Sequence, residues 1–343
     1  MPGKTIIIDK YGLFLGVKDG IFQIRGKNKQ GKPEVLAKIP PGEVDSIIIS
    51  VPGATISAAA VVLAEKHGID LVFINNYKPV ARLIPATYGS SMNTWIKQLK
   101  TFSNPQARRD IAVAIVDGKI HNQRTLLRIY HKNMVLRGDQ RNAGKLLEIL
   151  RMIDRAWGKL SDTTDWREAA LVEAEAAKYY WRGIRTLIPR QLGFRKRLKK
   201  WDILPSQPPD PFNTALNIAY SILAKETWKA TFTANLNPYI GFLHAHRPGR
   251  LSLVYDLMEE FRTPAVDRPL VKLARQKTTL IKQLNPDTPE ETRRKTVHQL
   301  FREIKNTLYN TKPPLANQIQ TQARRLAETI RTGKPYKPYK MKG

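Results

Sequence analysis

The sequence predicts an α+β protein: a small N-terminal β-rich domain over residues 1–88, a larger all-α domain over residues 92–332, and a basic disordered tail at 333–343. Up to residue 84 the apolar residues come in short β-branched or aromatic runs separated by Gly, Pro, Asn and Asp, the punctuation of strands and turns. From Met92 onward they recur at helical spacing instead. Between the two regimes, the turn at 86–91 holds Gly89 and two serines and reads as the domain linker.

In chain order, strands are expected at 5–8, 13–17, 21–24, 35–39 and 46–51, with Ile47, Ile48 and Ile49 in the most β-prone of them. An Ala/Val-rich helix follows at 56–67, stopped by Gly68, and strands at 70–74 and 80–84 close the domain. Its polar residues form no catalytic cluster. Amphipathic helices then run over 92–102 and 106–132, the second broken or capped near Asp117-Gly118, followed by 144–160 and 165–185. The Pro-bounded segment 189–209 interleaves Arg190, Arg195, Lys196, Arg197, Lys199 and Lys200 with Phe194 and Trp201. Basic residues among aromatics and prolines suit a flexible segment tracking a phosphate backbone, or else a solvated linker. Pro211 starts the helix FNTALNIAYSILAKETWKA, which carries Asn213 and Asn217 one turn apart and then Tyr220. Three basic helices, 269–283, 289–308 and 314–332, precede the Pro-, Lys- and Tyr-rich tail.

The chain has 343 residues, with 58 Lys and Arg against 29 Asp and Glu, a formal charge of +29 and a pI near 10.3. Such an excess repels itself in a compact protein, and a polyanion is the simplest partner that explains it, nucleic acid before an anionic membrane surface. No apolar run reaches the length of a membrane span and the first residues lack a signal-peptide core, so a cytoplasmic protein is expected. With no cysteine, disulfides, thiolate zinc sites and thiol nucleophiles are all excluded. Catalysis must then use carboxylates, His, hydroxyls or a hard metal.

The stretch 236–268, LNPYIGFLHAHRPGRLSLVYDLMEEFRTPAVDR, is the one that the chain is organised around. It reads as a helix start at Asn237-Pro238, an apolar turn ending at His244, a loop with Arg247 and Arg250, and a second apolar helix carrying Asp256, Glu259 and Glu260. Asp256 and Glu259 lie at i and i+3, so both carboxylates are expected to point the same way. A His with a pair of acids gives an N/O donor set suited to Mg²⁺ or Mn²⁺; the alternative is a helix hairpin with a core histidine and a solvated acidic face. Upstream, Glu173 sits among alanines on a helix that another helix could approach closely, with Glu175 pointing elsewhere.

Several pieces together resemble one family, the universal CRISPR-associated adaptation endonuclease that acts as the spacer integrase. They are E-x-x-A-A-x-x-Y-W from Glu173 to Trp181, PPDPFNTALNIAYSIL, NPYIGFLH ending at His244, GRLSLVYDLMEEFR and the VDR that ends at Arg268, in the family's order. The resemblance implies that Glu173, His244 and Glu259 hold a Mg²⁺ or Mn²⁺ ion, that Asp256 is a supporting acid and that Tyr220 stands near the site. It also implies cleavage and strand transfer on DNA, a homodimer made by the β-domains, and a small ferredoxin-like companion protein. DNA contacts are expected from Arg195, Lys196, Arg197, Lys199, Lys200, Arg247 and Arg250. A transposase of related self-synthesising mobile elements is the nearest alternative, although after Leu308 there is room for one helix and a tail but no helix-turn-helix module. A noncatalytic nucleic-acid-binding protein is the alternative from another class.

Overall fold

The computed structural model describes residues 4–28, 30–75, 78–83, 90–198 and 208–343, and the chain divides into two compact units, residues 1–93 and 94–343. In the first unit, strands β1 (Lys4–Ile8), β5 (Val44–Ile49) and β7 (Asp70–Asn75) pair in parallel, and β8 (Lys78–Leu83) closes that sheet antiparallel to β7. A second four-stranded sheet is the antiparallel meander of β2 (Phe14–Lys18), β3 (Ile21–Lys27) and β4 (Pro33–Ile39), with the short β6 (Thr55–Ile56) parallel to β2. Asp19 and Gly20, with φ of 53° and 71°, form the two-residue turn between β2 and β3, the hand that matches strand twist. Helix α1 (Ala58–Lys66) starts at Ser57, whose hydroxyl accepts from the Ala60 N–H, and buries Ala60 and Ala64 against Ile6, Leu15, Phe22, Ile47 and Leu71. The β-rich N-terminal region and the mostly helical remainder are the α+β class read from the sequence.

Among the described residues ten further helices follow: α2 (Ser90–Ser103), α3 (Pro105–Leu136), α4 (Gln140–Gly158), α5 (Trp166–Leu187), α6 (Pro211–Thr233), α7 (Ser252–Glu259), α8 (Arg268–Gln276), α9 (Thr278–Lys282), α10 (Glu290–Tyr309) and α11 (Leu315–Thr332). Helix α2 already starts at Ser90, inside the expected linker, whose earlier residues lie outside the described ones. Helices α3, α4 and α5 pack on one another, and α6 packs against α7, α10 and α11. Between α7 and α8 the backbone widens into a single π-turn, Thr263–Asp267, a local irregularity often found at functional sites. Among the described residues no helix is long and apolar enough to cross a membrane.

Two expectations are corrected here. Helix α3 runs unbroken through Asp117-Gly118. Gly118 is there for proximity: a Cβ on it would stand 2.8 Å from Pro338 and 3.2 Å from the Tyr339 carbonyl. What crosses it is the 333–343 segment, expected to be disordered and found packed. Tyr336 and Met341 are buried, the Tyr336 hydroxyl donates to Glu260 at 2.6 Å and the Tyr339 N–H at 2.5 Å, and Tyr339 stacks on Phe261 at 4.7 Å. Asn122 of α3 donates to the carbonyls of Glu260 (2.8 Å) and Tyr339 (3.1 Å) and accepts the Met341 N–H (2.7 Å). Composition suggested disorder because the segment is short of aliphatic residues; its aromatic rings and backbone groups hold it instead.

Candidate active site

Residues 235–251, all among the described ones, contain no helix, so the helix expected to start at Asn237-Pro238 is replaced by a folded loop. The Asn237 side chain accepts from the Tyr239 N–H at 3.0 Å, closing an Asx turn rather than capping a helix. Gln98 of α2 pins the loop, donating to the Asn237 and Ile240 carbonyls at 3.0 and 2.8 Å and accepting from the Asn237 N–H at 2.8 Å. Gly241 follows because a Cβ there would meet Asp256 Oδ2 at 2.6 Å and the Ser252 carbonyl carbon at 2.7 Å.

That close approach lets one carboxylate organise the loop. Asp256 is fully buried and accepts from the N–H groups of Phe242, Leu243 and His244 at 2.5, 3.0 and 3.0 Å, and from His244 Nδ1 at 2.6 Å. With Nδ1 turned to Asp256, Nε2 is the ring nitrogen left facing Glu259. Nε2 lies 3.9 Å from Glu259 Oε1. The two acids of α7 flank the same imidazole, Asp256 at Nδ1 and Glu259 toward Nε2. Asp256 turns into the loop and Glu259 turns to the site, which makes Asp256 a positioning residue with no oxygen left for an ion.

Glu259 is met by cations. Arg262 Nε donates to Glu259 Oε2 at 2.8 Å, and Lys119 of α3 reaches the same oxygen at 2.5 Å while also bonding Glu173 of α5. Burial would raise the Glu259 pKa, but Arg262, Lys119 and His244 outweigh it and bring it to about 2. Burial pulls the Lys119 pKa down, and the Glu173 and Glu259 carboxylates reverse this and hold it above the ordinary value. Glu175, two positions further along α5, faces outward and pairs with Lys159 at 2.8 Å. Glu173 of α5 and Glu259 of α7 thus share the Lys119 ammonium, and His244 of the loop stands beside Glu259.

Behind Glu259 lies a buried polar network. Tyr220 of α6 donates to Asp267 at 2.5 Å and Tyr180 of α5 donates to it at 2.7 Å. Burial and Asp267 push both phenols well above their ordinary pKa, so Tyr220 serves as a fixed donor. It does not touch Glu173 or His244; it lies under Arg262, whose guanidinium carbon is 4.6 Å from its ring centre, and acts on the site through that arginine. Asn213 and Asn217 accept from Arg197 at 3.0 and 2.7 Å, and this arginine also lies over the Tyr220 ring at 5.3 Å. Arg197 is consumed inside the protein and is not offered to DNA, whereas Arg195, Lys196 and Arg247 are exposed and Arg250 half-buried. Lys199 and Lys200 lie outside the described residues.

Two carboxylates and an imidazole have the chemistry for a hard divalent ion. As arranged, no three His, Asp or Glu side chains among the described residues stand close enough to chelate one together, and the Lys119 ammonium bonds both Glu173 and Glu259. Sequence reasoning passed over Lys119, Arg262 and Asp267. Lys119 carried a signal, since it shares a helical face with the buried Val116, Ile115 and Gln123. Arg262 and Asp267 stood inside the motifs that carry the resemblance, but nothing local in the sequence gave either of them a role.

A family model described as CRISPR associated protein Cas1 matches residues 6–303. A protein named CRISPR-associated endonuclease Cas1 1 from Saccharolobus solfataricus is 38% identical over 339 residues, covering 99% of this chain and 84% of the relative. Among solved structures, a casposase bound to an integration product superposes with a TM-score of 0.71 at 22% identity, covering 98% of this chain and 100% of that one. A chain of a partial Cas6-RT-Cas1–Cas2 complex gives a TM-score of 0.69 at 20% identity, covering 99% and 100%.

Proposed function

The chain belongs to the CRISPR-associated Cas1 family, and on that premise we propose that it is a metal-dependent DNA endonuclease and integrase, inserting new spacers into a CRISPR array. The observation that carries this is that Glu173 and Glu259, from separate helices, share one buried cation, with His244 of the loop 3.9 Å from Glu259. A divalent Mg²⁺ or Mn²⁺ ion held there would stabilise the charge that builds on the phosphoryl oxygens during in-line attack and would orient the nucleophile. Glu173 and Glu259 supply its oxygens and His244 Nε2 its nitrogen. Asp256 orients the imidazole, and Arg262 holds Glu259 in place. In hydrolysis the nucleophile is water; in strand transfer it is the 3′-hydroxyl of incoming DNA. The testing experiment is a strand-transfer assay on a short splayed duplex with and without Mn²⁺: metal-dependent joining is expected, and binding without any cleavage or joining would leave a noncatalytic DNA-binding protein. The sequence relatives favour the CRISPR role over a transposase, while the casposase likeness bears on the shared fold.

For DNA, the exposed Arg195 and Lys196 beside the site are the contacts proposed on the 189–198 segment, with Arg247 and Arg250 on the other side of His244. Replacing Arg195 and Lys196 by Ser is expected to flatten the slope of log affinity against log salt by up to about 2 units, roughly 0.9 for each phosphate no longer neutralised. Arg197→Ser should instead lower the melting temperature and leave that slope unchanged. Titrations of DNA binding across a salt series separate the two.

The partners proposed are a second copy of the chain and the ferredoxin-like companion. The N-terminal unit exposes Val35, Leu36, Val62 and Val80, apolar surface of the kind that association covers, and we assign it the dimer contact. A chain beginning at Ser90 is expected to run as a monomer in light scattering while the full chain runs as a dimer. A folded, dimeric helical unit would move the contact out of the β-rich region.

A further inference from the structure

Lys119 is buried on α3 with its ammonium on both Glu173 and Glu259, the two carboxylates that would take a divalent ion. A counter-ion for Glu259 alone is already present, because Arg262 donates to it at 2.8 Å. Glu173 and Glu259 facing Lys119 and Arg262 make a set of two carboxylates and two cationic side chains that is already neutral before any metal arrives. A divalent ion joining this set adds two positive charges to a site largely screened from water, which is unfavourable without an accompanying anion. A phosphodiester entering with the ion removes one of them and offers the displaced ammonium an anion to bind. The open side exists: Glu173 and His244 retain side-chain exposures of 22% and 25%.

We propose that Lys119 is a resident cation that competes with the divalent ion for Glu173 and Glu259 and moves onto a DNA phosphate when the ion binds, so that metal and DNA load cooperatively. The proposal rests on the reading of this cluster as a metal centre and adds how that centre is filled. Coupling of this kind is reciprocal: if DNA tightens the ion, the ion tightens DNA by the same factor. It would keep the nuclease centre poorly charged with metal until a phosphate backbone is in place.

The test measures Mn²⁺ affinity by electron paramagnetic resonance for the full chain, Lys119→Met and Lys119→Arg, each with and without a short splayed duplex. Without DNA, Lys119→Met is expected to bind Mn²⁺ at least about tenfold more tightly than the unaltered protein, a change of about 1.4 kcal/mol, while Lys119→Arg shows no tightening. The duplex should tighten Mn²⁺ on the unaltered protein by a larger factor than on Lys119→Met. Equal or weaker Mn²⁺ binding by a folded Lys119→Met overturns the proposal. If that variant does not fold, the unaltered protein decides alone, because Mn²⁺ affinity indifferent to DNA also overturns it. Should none of the three proteins bind Mn²⁺ more tightly than Glu173→Gln/Glu259→Gln, with or without DNA, the metal-centre reading itself fails, an outcome distinct from Mn²⁺ binding that ignores Lys119.

Discussion

Glu173→Gln, His244→Ala and Glu259→Gln are each expected to lower cleavage and strand transfer by about a thousandfold or more, the loss of several kcal/mol of transition-state stabilisation. Glu175→Ala, on the same helix but paired with Lys159 in solvent, should retain activity. Glutamine is the right replacement at 259. Alanine would strip the shared partner from Lys119 and Arg262 together, and breaking a buried ion pair from one side costs roughly 3–5 kcal/mol. A Glu259→Ala protein would therefore be inactive for two reasons at once. The isosteric amide keeps a hydrogen-bond acceptor for both cations and removes the charge, and DNA affinity, carried by phosphate contacts elsewhere, should persist. Measured rates and melting temperatures for the four variants check this, and an inactive Glu175→Ala beside an active Glu173→Gln would reverse the assignment on α5.

Ending the chain at Gly333 should destabilise the helical unit by roughly 3–5 kcal/mol, the scale of deleting a buried aromatic, whereas loss of a disordered tail would cost nothing. The truncation removes Tyr336 from Gln322 and Glu260, Tyr339 from the face of Phe261 and Met341 from Asn122. It also opens Glu260 to water. In the intact chain burial drives the Glu260 pKa up from 4.5 to about 8, against the pull of the Tyr336 and Tyr339 hydrogen bonds. A carboxyl raised on folding contributes stability that is complete below its unfolded pKa and is lost as pH rises through the folded one. The intact chain should therefore lose stability between about pH 4.5 and 8 through this group, and the truncated chain should lose that part of its pH dependence. Melting curves of both proteins across that window decide.

Where local pattern and global packing agreed, the sequence was readable. Short β-branched or aromatic runs marked the strands, helical spacing marked α3 to α6 and α10 to α11, and Glu173 rather than Glu175 lies on the face of α5 turned to Lys119. The failures share a cause: each concerned a partner distant in sequence. Gly118 looked like a helix stop because the segment that passes over it comes some 220 residues later. Asp256 looked like a twin ligand to Glu259 because only the folded loop supplies the three N–H groups that occupy its oxygens. Asn237-Pro238 has the dipeptide of a helix start, but the Gln98 side chain claims the backbone groups that a helix would have used. Arg197 read as one of a basic run until Asn213 and Asn217, polar on an otherwise apolar helix, proved to be its partners.

The Asn122 clasp has a consequence for how the protein is made. Contacts spanning about 217 to 220 residues are closed late, because the entropy of ordering the intervening chain must be met first. During synthesis the β-rich unit can fold as soon as it emerges, as N-terminal units do. Helix α3, although made early, waits for residues 336–341 before Asn122, Gly118 and Glu260 acquire their native partners. A nascent chain paused before that point carries α3 and α7 without the contacts that residues 336–341 make to Asn122 and Glu260.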